Sequence, residues 1–298
     1  QWLYIHGISR GHPLVLELIN RGASATAFHE TLENYVTVEI FSKLSAEQKR
    51  VLSVLSIFRE PVSIDALSEQ KLDIDVLDSL VEQGLARQVD SEVYDVHDLI
   101  REFLLRSLDE KLKIELHNKC STWYQKASDA PVFTIELIFH LVSSDNMTEA
   151  AEIIVNTGRS LISQGHMELL GLIESLEQSE LSENVSTKVN HYKGEILALL
   201  GRFEDAKEAF RDAQESANKS KDVNTQAELL SALADISLKQ GNLDESLNMH
   251  RDALEIFIKL KDAIGAARSY NNMGYILRRK NDKSCLLYTS DAADESVR

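Results

Sequence analysis

Two short segments contain residue types that could contact an anion such as a phosphate. One is Val96-His97-Asp98, and the other is Gly11-His12-Pro13-Leu14. An imidazole can donate a hydrogen bond to a phosphate, and it gains charge when it is protonated. Each segment alone is better explained as a helix start, because Pro13 suits a first helical turn and Asp98 is favoured there by the helix dipole.

Other reactive side chains form no convincing catalytic set. His117 and Cys120 are three residues apart and could share a metal ion, but two ligands make a poor site, so we predict no metal. His140 is predicted to be a packing residue. The sequence has no G-x-x-x-x-G-K-[ST] phosphate loop, no nucleophile elbow and no H-E-x-x-H helix. We therefore expect the chain not to be an enzyme by itself.

Composition indicates a mostly α-helical protein with more than one domain. The 298 residues exceed one ordinary core, and only three prolines and twelve glycines interrupt them. The formal charge of −16 opposes direct nucleic-acid binding, and no apolar run reaches the length of a membrane span. The two cysteines, Cys120 and Cys285, offer no disulfide framework, which favours a cytoplasmic location.

Hydrophobic periodicity after Ser45 predicts a winged-helix domain. The expected elements are a helix over 46–58, a short helix at 64–67, a third helix from 74 to 85, strands at 86–89 and 92–96, and a helix from Asp98. The third helix region contains Asp73, Asp75, Asp78 and Glu82, and such an acidic surface repels DNA phosphates. We therefore predict that this domain docks within its own protein.

The C-terminal half contains an internal repeat of forty residues. Gly201-Arg202-Phe203-Glu204-Asp205-Ala206 recurs as Gly241-Asn242-Leu243-Asp244-Glu245-Ser246, and copies begin near Ser186, Thr225 and Gly265. Small residues let antiparallel helices approach closely, and a larger residue fills the space beside each turn. The residues predicted to pack the repeats are Gly194, Gly201, Phe203, Ala206, Ala213, Ala234, Gly241, Leu243, Ala253 and Gly274.

The repeats resemble tetratricopeptide repeats of a longer, forty-residue kind, with Ser246 and His250 in place of the usual alanine and aromatic residue. The resemblance implies an α-solenoid of stacked helix pairs whose concave face binds a protein or peptide. The open alternative is that these helices only pack against one another.

Taken in order, these features resemble the STAND signalling ATPases, which include NB-ARC proteins and MalT-like prokaryotic regulators. Gly11-His12-Pro13 is similar to the family's G-x-P motif, Val96-His97-Asp98 is similar to its M-H-D motif, and the repeats follow where the family has its sensor. The resemblance implies that Pro13 packs against the adenine of ADP and that His97 contacts the β-phosphate. Asp98 would hold the local turn, and exchange for ATP would release the contact.

The resemblance also implies a domain order and a fragment of a longer protein. The expected segments are the end of a helical lid (1–30), a connecting helix (31–44), the winged helix (45–108), a helical connector (109–184) and the repeats (185–284). The last segment, 285–298, looks like a translated sequencing adapter. We expect no cofactor in this fragment, ADP or ATP with Mg²⁺ in the parent protein, and possible homo-oligomers on activation.

Two other functions remain open from the sequence. The chain could be a nucleotide-independent scaffold whose repeats join proteins together. It could also belong to a transcription regulator whose DNA-binding module lies outside this fragment.

Overall fold

The computed structural model describes residues 41–69, 72–73, 75–127 and 130–280. These residues are mostly helical, and the repeats form consecutive antiparallel helix pairs, which confirms the predicted helical class and solenoid. The chain divides into two compact units, 1–144 and 145–298, so the division falls inside the predicted 109–184 connector. Gly11, Pro13, the predicted lid and the segment 285–298 lie outside the described residues.

The first unit combines helices with a small sheet, and apart from β1 the elements over residues 46–107 follow the predicted order. After a 3-10 turn at Phe41–Lys43, its elements are α1 (Ala46–Ile57), β1 (Val62–Ser63), α2 (Ile64–Glu69), α3 (Asp75–Glu82), β2 (Ala86–Asp90), β3 (Val93–Val96), α4 (Asp98–Ser107), α5 (Glu110–Ala127) and α6 (Pro131–Ser143).

Helix α1 is the centre of the first unit's core. A capping box starts it, because Ser45 Oγ accepts from the Gln48 backbone N–H at 3.1 Å and Gln48 Oε1 accepts from the Ser45 N–H at 2.9 Å. The side chains of Val51, Leu52 and Leu55 are almost completely buried. The helix packs against α3, α4, α5 and β3, so burial on several sides stabilises it.

The sheet has three antiparallel strands in the order β1-β3-β2. Ala86 pairs with Val96 in the expected hairpin, and Val62 pairs with Tyr94. Strand β1 was not predicted, because two residues are too short to show an alternating pattern and their partner lies about thirty positions away. The hairpin is confirmed, and the third strand is an addition to it.

The second unit is entirely helical in its described part. It contains α7 (Met147–Ser163), α8 (Leu169–Glu174), α9 (Glu183–Leu199), α10 (Phe203–Ser220), α11 (Val223–Lys239), α12 (Leu243–Leu260) and α13 (Ala263–Arg279). From α9 onward each helix packs on the next one. Helices α9, α11 and α13 begin 40 residues apart, so the sequence period is also the structural period.

The turns between repeat helices have the same geometry each time. Gly201 and Gly241 close α9 and α11 at φ values of +78° and +87°, which a residue with a Cβ adopts only at a cost. Asp222 and Asp262 then cap α11 and α13, since their carboxylates accept backbone N–H groups in the first turns. No helix within the described ranges is both long and apolar enough to cross a bilayer.

Candidate functional sites

His97 lies at the junction of β3 and α4 in the first unit. Its backbone carbonyl accepts from the N–H groups of Ile100 and Arg101 at 2.8 and 2.9 Å, so it begins the helix. The His97 side chain is half-buried, and Asp98 is exposed in the first turn. Both residues therefore belong to a well-defined turn at one end of the sheet.

The turn at His97 is stabilised by a cluster of charged residues around the buried Asp95. Asp95 is 4% exposed and accepts from Arg87 Nε at 3.0 Å, from the Val96 backbone N–H at 2.8 Å and from the Arg101 guanidinium. Arg101 also donates to the Phe58 carbonyl. The carboxylate of Asp95 thus connects Val96 to Arg101 in α4, and losing it would leave the mostly buried Arg101 guanidinium without its carboxylate partner.

The predicted repeat-packing residues occupy two kinds of position. Gly201 and Gly241 form the turns, and Phe203 and Leu243 begin the next helices as half-buried side chains. The others lie within helices: Ala206, Ala213, Ala234 and Ala253 are fully buried, Gly194 is buried and Gly274 is half-buried.

Gly194 shows why a small residue is needed. A Cβ built at this position would lie 2.4 Å from the Phe210 ring of α10, closer than real Cβ contacts. Forty residues later the equivalent pair is Ala234 and His250, where a smaller ring accompanies a larger helix residue. The two positions therefore change together to keep the space filled.

Ser246 and His250, the two polar residues that depart from the usual repeat pattern, are buried between α11 and α12. Ser246 Oγ donates to the Ala234 carbonyl at 2.7 Å, and His250 Nδ1 lies 3.5 Å from Ser231 Oγ. His250 Nε2 is 3.2 Å from Asp235 Oδ1 but makes no hydrogen bond to it. Ser231 and His250 are both buried and unavailable to a substrate, so this Ser-His-Asp grouping is structural.

A groove of about 640 Å³ opens in the second unit beside α8, α9 and α10. Its floor consists of buried apolar side chains that include Val189, Leu197 and Ala209. Its walls carry six carboxylates and three basic groups: Glu174, Glu177, Asp205, Glu208, Asp212, Glu215, Lys193, Arg202 and Lys219. The groove is therefore polar, with an excess of negative charge.

The three basic groups in the groove are already paired with groove carboxylates. Lys193 Nζ lies 2.6 Å from Glu177, Arg202 Nε lies 2.7 Å from Asp205, and Lys219 Nζ lies 3.1 Å from Glu215. No ion pair within the described ranges involves the remaining acids, Glu174, Glu208 and Asp212.

Two of these acids, Glu208 and Asp212, are close enough for Glu208 to change the pKa of Asp212. Burial raises the pKa of the Asp212 carboxyl, and the neighbouring Glu208 raises this pKa further, against the opposing effect of Lys193. Asp212 and Glu208 are four positions apart on α10, where like charges destabilise a helix.

Two further histidines, His117 and His140, are in contact between α5 and α6 in the first unit. His117 Nδ1 and His140 Nδ1 are 2.8 Å apart, so the neutral rings must be opposite tautomers, with one donating and one accepting. The Tyr124 ring stacks on His140 with centroids 5.4 Å apart. Burial lowers the pKa of His117 to about 4, with help from Lys113, and holds the pKa of His140 well below its usual value.

The surroundings of His117 can be compared with the metal site considered for His117 and Cys120. Cys120 is fully buried one turn from His117 on α5. Across the described residues, no three His, Cys, Asp or Glu side chains form a set that could hold a metal ion. The His140 ring is surrounded by Phe58, Tyr124 and Phe139, as a packing residue would be.

The repeats match known families by sequence. Residues 188–220 and 225–284 each match a tetratricopeptide repeat model. A search of curated proteins found no match.

Solved structures extend the similarity to the whole chain. The fold is similar to that of a Signal Transduction ATPase with Numerous Domains (STAND) protein with a tetratricopeptide repeat sensor from Pyrococcus horikoshii, at 22% identity and a TM-score of 0.56. The match covers 99% of this chain and 44% of that protein, so the chain spans less than half of its length.

Two further structures are similar at lower scores. BtubC from P. vanneervenii is 17% identical, with a TM-score of 0.38 over 85% of this chain and 91% of its own. A Rap protein complexed with Competence and Sporulation Factor is 12% identical, with a TM-score of 0.42 over 84% and 75%.

Sequence reasoning missed three groupings that the structure brings together. The Asp95 cluster depends on Arg87, which lies across the hairpin, and the His117–His140 contact joins two helices. The acids of α10 were not identified as a group. Their spacing of three or four residues was visible, but the groove also requires α8 and the coil after it, whose path the sequence does not reveal.

Proposed function

We propose that this chain is the regulatory and sensor portion of a nucleotide-switched signalling ATPase of the STAND type. In this proposal the repeats bind a protein or peptide, and the α1–α4 module, assigned as a winged helix, senses ADP held by a nucleotide-binding domain in the parent protein. The observation that carries the proposal is fold similarity over 99% of the chain to a STAND protein with a tetratricopeptide repeat sensor.

The geometry around His97 supports the nucleotide part of the proposal. The half-buried imidazole stands at a helix start, where backbone N–H groups and the helix dipole favour a neighbouring anion. Asp95 and Arg101 hold that turn in place. A ligand shifts a two-state equilibrium only by binding the states with different affinities, and His97 is the proposed source of that difference.

The sharpest test replaces His97 by alanine in the full-length parent protein. We expect faster ADP loss and higher signalling output without ligand, because one phosphate contact to the closed state is removed. The matched control is His166→Ala, which removes a histidine from the second unit. Unchanged ADP retention and output in the His97 variant would refute the nucleotide-sensing role.

A sequence of the parent gene before Gln1 provides an independent test. A phosphate loop within the preceding few hundred residues would support the switch, and Mg²⁺ and ATP would then be expected to bind there. An unrelated domain in its place would favour the second candidate, a nucleotide-independent scaffold. That alternative rests on the tetratricopeptide matches at 188–220 and 225–284, which fit a binding role with or without a nucleotide.

A further inference from the structure

The segment Phe58–Arg59, which follows α1, lies between two parts of the first unit. Its first residue is held from the side of α4, because the Arg101 guanidinium donates to the Phe58 backbone carbonyl. The same guanidinium donates to the Asp95 carboxylate, and the Arg101 backbone N–H donates to the His97 carbonyl at 2.9 Å. Arg101 therefore joins the end of α1 directly to the turn that contains His97.

The Phe58 side chain extends into the contact between α5 and α6. Its ring is 1% exposed and lies against the rings of Trp123 and Tyr124 of α5 and His140 of α6, with ring centroids 5.7–6.3 Å apart. Aromatic rings at such separations attract one another beyond the effect of the area they bury. One residue therefore contacts α4 through its backbone and both α5 and α6 through its ring.

Arg59 makes a second contact with α6, and this contact is ionic. Its Nε and Nη2 atoms donate to the two carboxylate oxygens of Glu136 at 3.2 and 2.6 Å, and its guanidinium carbon lies 4.0 Å from the centre of the Phe139 ring. The Glu136 side chain is only 5% exposed, so removing either partner would leave a charge without compensation. The docking of α6 therefore depends on a residue outside the α5–α6 pair.

The other connections between these parts do not fix α6 in the same way. Helix α4 is joined to α5 by residues 108–109, and α5 also packs on α1 and α2. Helix α6 packs chiefly on α5, whereas the end of α1 reaches it through Phe58 and Arg59. The position of α6 relative to the His97 turn is therefore set largely by these two residues.

We propose that the Phe58–Arg59 segment couples the His97 turn to α6, the last helix of the first unit, so that a change at either place alters the stability of the other. The direction of the signal rests on the proposed function, since loss of a phosphate contact at His97 would loosen Arg101 and, through Phe58, the docking of α6. A chain of contacts is a coupling only if changing one end measurably affects the other.

The test measures backbone hydrogen exchange in the full chain without nucleotide. Arg101→Lys keeps a positive charge beside Asp95 but loses the planar fork that reaches both this carboxylate and the Phe58 carbonyl. Within the described residues, Arg101 makes no hydrogen bond or ion pair with α6. We nevertheless expect the amides of α6 to exchange about tenfold faster, a size typical of coupled neighbours.

Coupling is reciprocal, so the opposite end provides a second measurement. Glu136→Gln removes the carboxylate charge from α6. It should speed the exchange of the Ile100 and Arg101 amides, which donate to the His97 carbonyl, by a similar factor. In the double variant the effect on α6 should be much smaller than the product of the two separate effects, because both changes cut the same link. The Glu136 variant also provides the test if Arg101→Lys does not fold.

A matched control separates coupling from a general loss of stability. Ser45→Ala removes the capping box of α1, at the helix end away from Phe58, and should also destabilise the α1–α4 module. Urea added to the more stable of the two variants equalises their global stability, as measured by chemical denaturation. Under these conditions α6 should still exchange faster in Arg101→Lys than in Ser45→Ala.

The possible outcomes separate this inference from the proposed function. Equal exchange of α6 in these two variants, or full additivity in the double variant, would overturn the inference and leave the His97 test of the switch unaffected. Faster exchange of α6 in Arg101→Lys together with strong non-additivity would support it. If that coupling is found and His97→Ala leaves ADP retention unchanged, the coupling stands and the nucleotide role fails.

Discussion

The helix pairs α9–α10 and α11–α12 have matching helix lengths and turns, but the side chains packed between their helices differ. Their first helices each contain 17 residues and their second helices 18, and both pairs end in a left-handed lysine, Lys221 at φ 56° and Lys261 at φ 59°. Inside, the first pair contains Gly194 against Phe210, whereas the second contains Ala234 and the polar His250. Backbone geometry is therefore set by turns and small residues, and it tolerates different core chemistry when volumes compensate.

The outer surfaces differ as well. The acidic pair Glu208 and Asp212 of α10 corresponds to Asn248 and Asp252 of α12, so the repulsive charge pair is confined to the first of these pairs. The following changes test this comparison, from the largest expected effect to the smallest.

The first change removes the aromatic ring that distinguishes the first pair. Phe210→Ala should lower the free energy of unfolding by about 3–5 kcal/mol, because the ring is 1% exposed and its loss leaves a cavity against Gly194. Chemical denaturation would measure the effect. His250→Ala is the matched control in the second pair and should cost less, so an equal or larger loss there would contradict the comparison.

The second change lowers the pH and compares the stability of the α5–α6 pair, which contains His117 and His140, with that of α11–α12. His117 has a pKa of about 4 when folded and about 6.5 when unfolded, because burial disfavours its charged form. The resulting stability is complete above pH 6.5 and is lost progressively as the pH falls toward 4, up to about 3 kcal/mol.

Hydrogen exchange would show where this loss occurs. Over that pH range α5 and α6 should lose more protection than α11 and α12, because the lowered pKa values of His117 and His140 belong to α5 and α6. His117→Gln should flatten the pH dependence of α5 and α6. Equal losses in both helix pairs would remove the distinction between the two settings.

The third change adds one methyl group. Gly194→Ala should destabilise the chain by about 1–3 kcal/mol, since the new Cβ would meet the Phe210 ring at 2.4 Å. Gly171→Ala is the matched control, because no atom lies within 4 Å of its added Cβ and alanine favours the helix. Thermal unfolding should show opposite shifts, and similar shifts would argue against close packing at Gly194.

The fourth change removes the carboxylate beside His250. Asp235→Ala should cost about 1 kcal/mol, because Asn272 Nδ2 loses its 2.8 Å acceptor and His250 loses its charged neighbour. Urea titration would measure this loss. Asp252→Ala changes an exposed residue of α12 that makes no ion pair or side-chain hydrogen bond within the described ranges, so as the control it should be nearly neutral.

The fifth change gives the first pair the surface of the second. Glu208→Asn should stabilise the chain by about 0.2–0.5 kcal/mol at neutral pH, because it removes a like-charge pair on α10. It should also move the pKa of Asp212 down toward its ordinary value, since Glu208 now raises it. NMR titration of the Asp212 carboxyl would check this, and an unchanged pKa would show that burial alone sets it.

Much of the fold follows from local sequence patterns. The forty-residue repeat, the turn glycines and the capping aspartates are local signals, so the helix starts at Glu183 and Val223 agree closely with the repeat boundaries predicted near Ser186 and Thr225. Strand β1 was missed because a two-residue strand exists only through its pairing with β3. Such pairing depends on tertiary contacts that no local period records.

The candidate sites were less accessible to sequence reasoning. His97 was selected because its motif is contiguous, and its position at a strand-to-helix junction agrees with the predicted elements. His117 and His140 are 23 residues apart, and their contact depends on how α5 packs against α6. The negative charge of the groove likewise depends on how α8, α9 and α10 pack together. Each charged residue is visible in the sequence, but their grouping in one groove is not.

The constant interval between helix starts has a consequence for how such a protein can change. A segment cut between Gly201 and Gly241 contains one second helix and the next first helix, with a turn glycine at each junction. An in-frame duplication of that segment would therefore insert a whole layer while every later side chain kept its phase. Lengthening by such modules gives evolution a way to add recognition surface without redesigning the core.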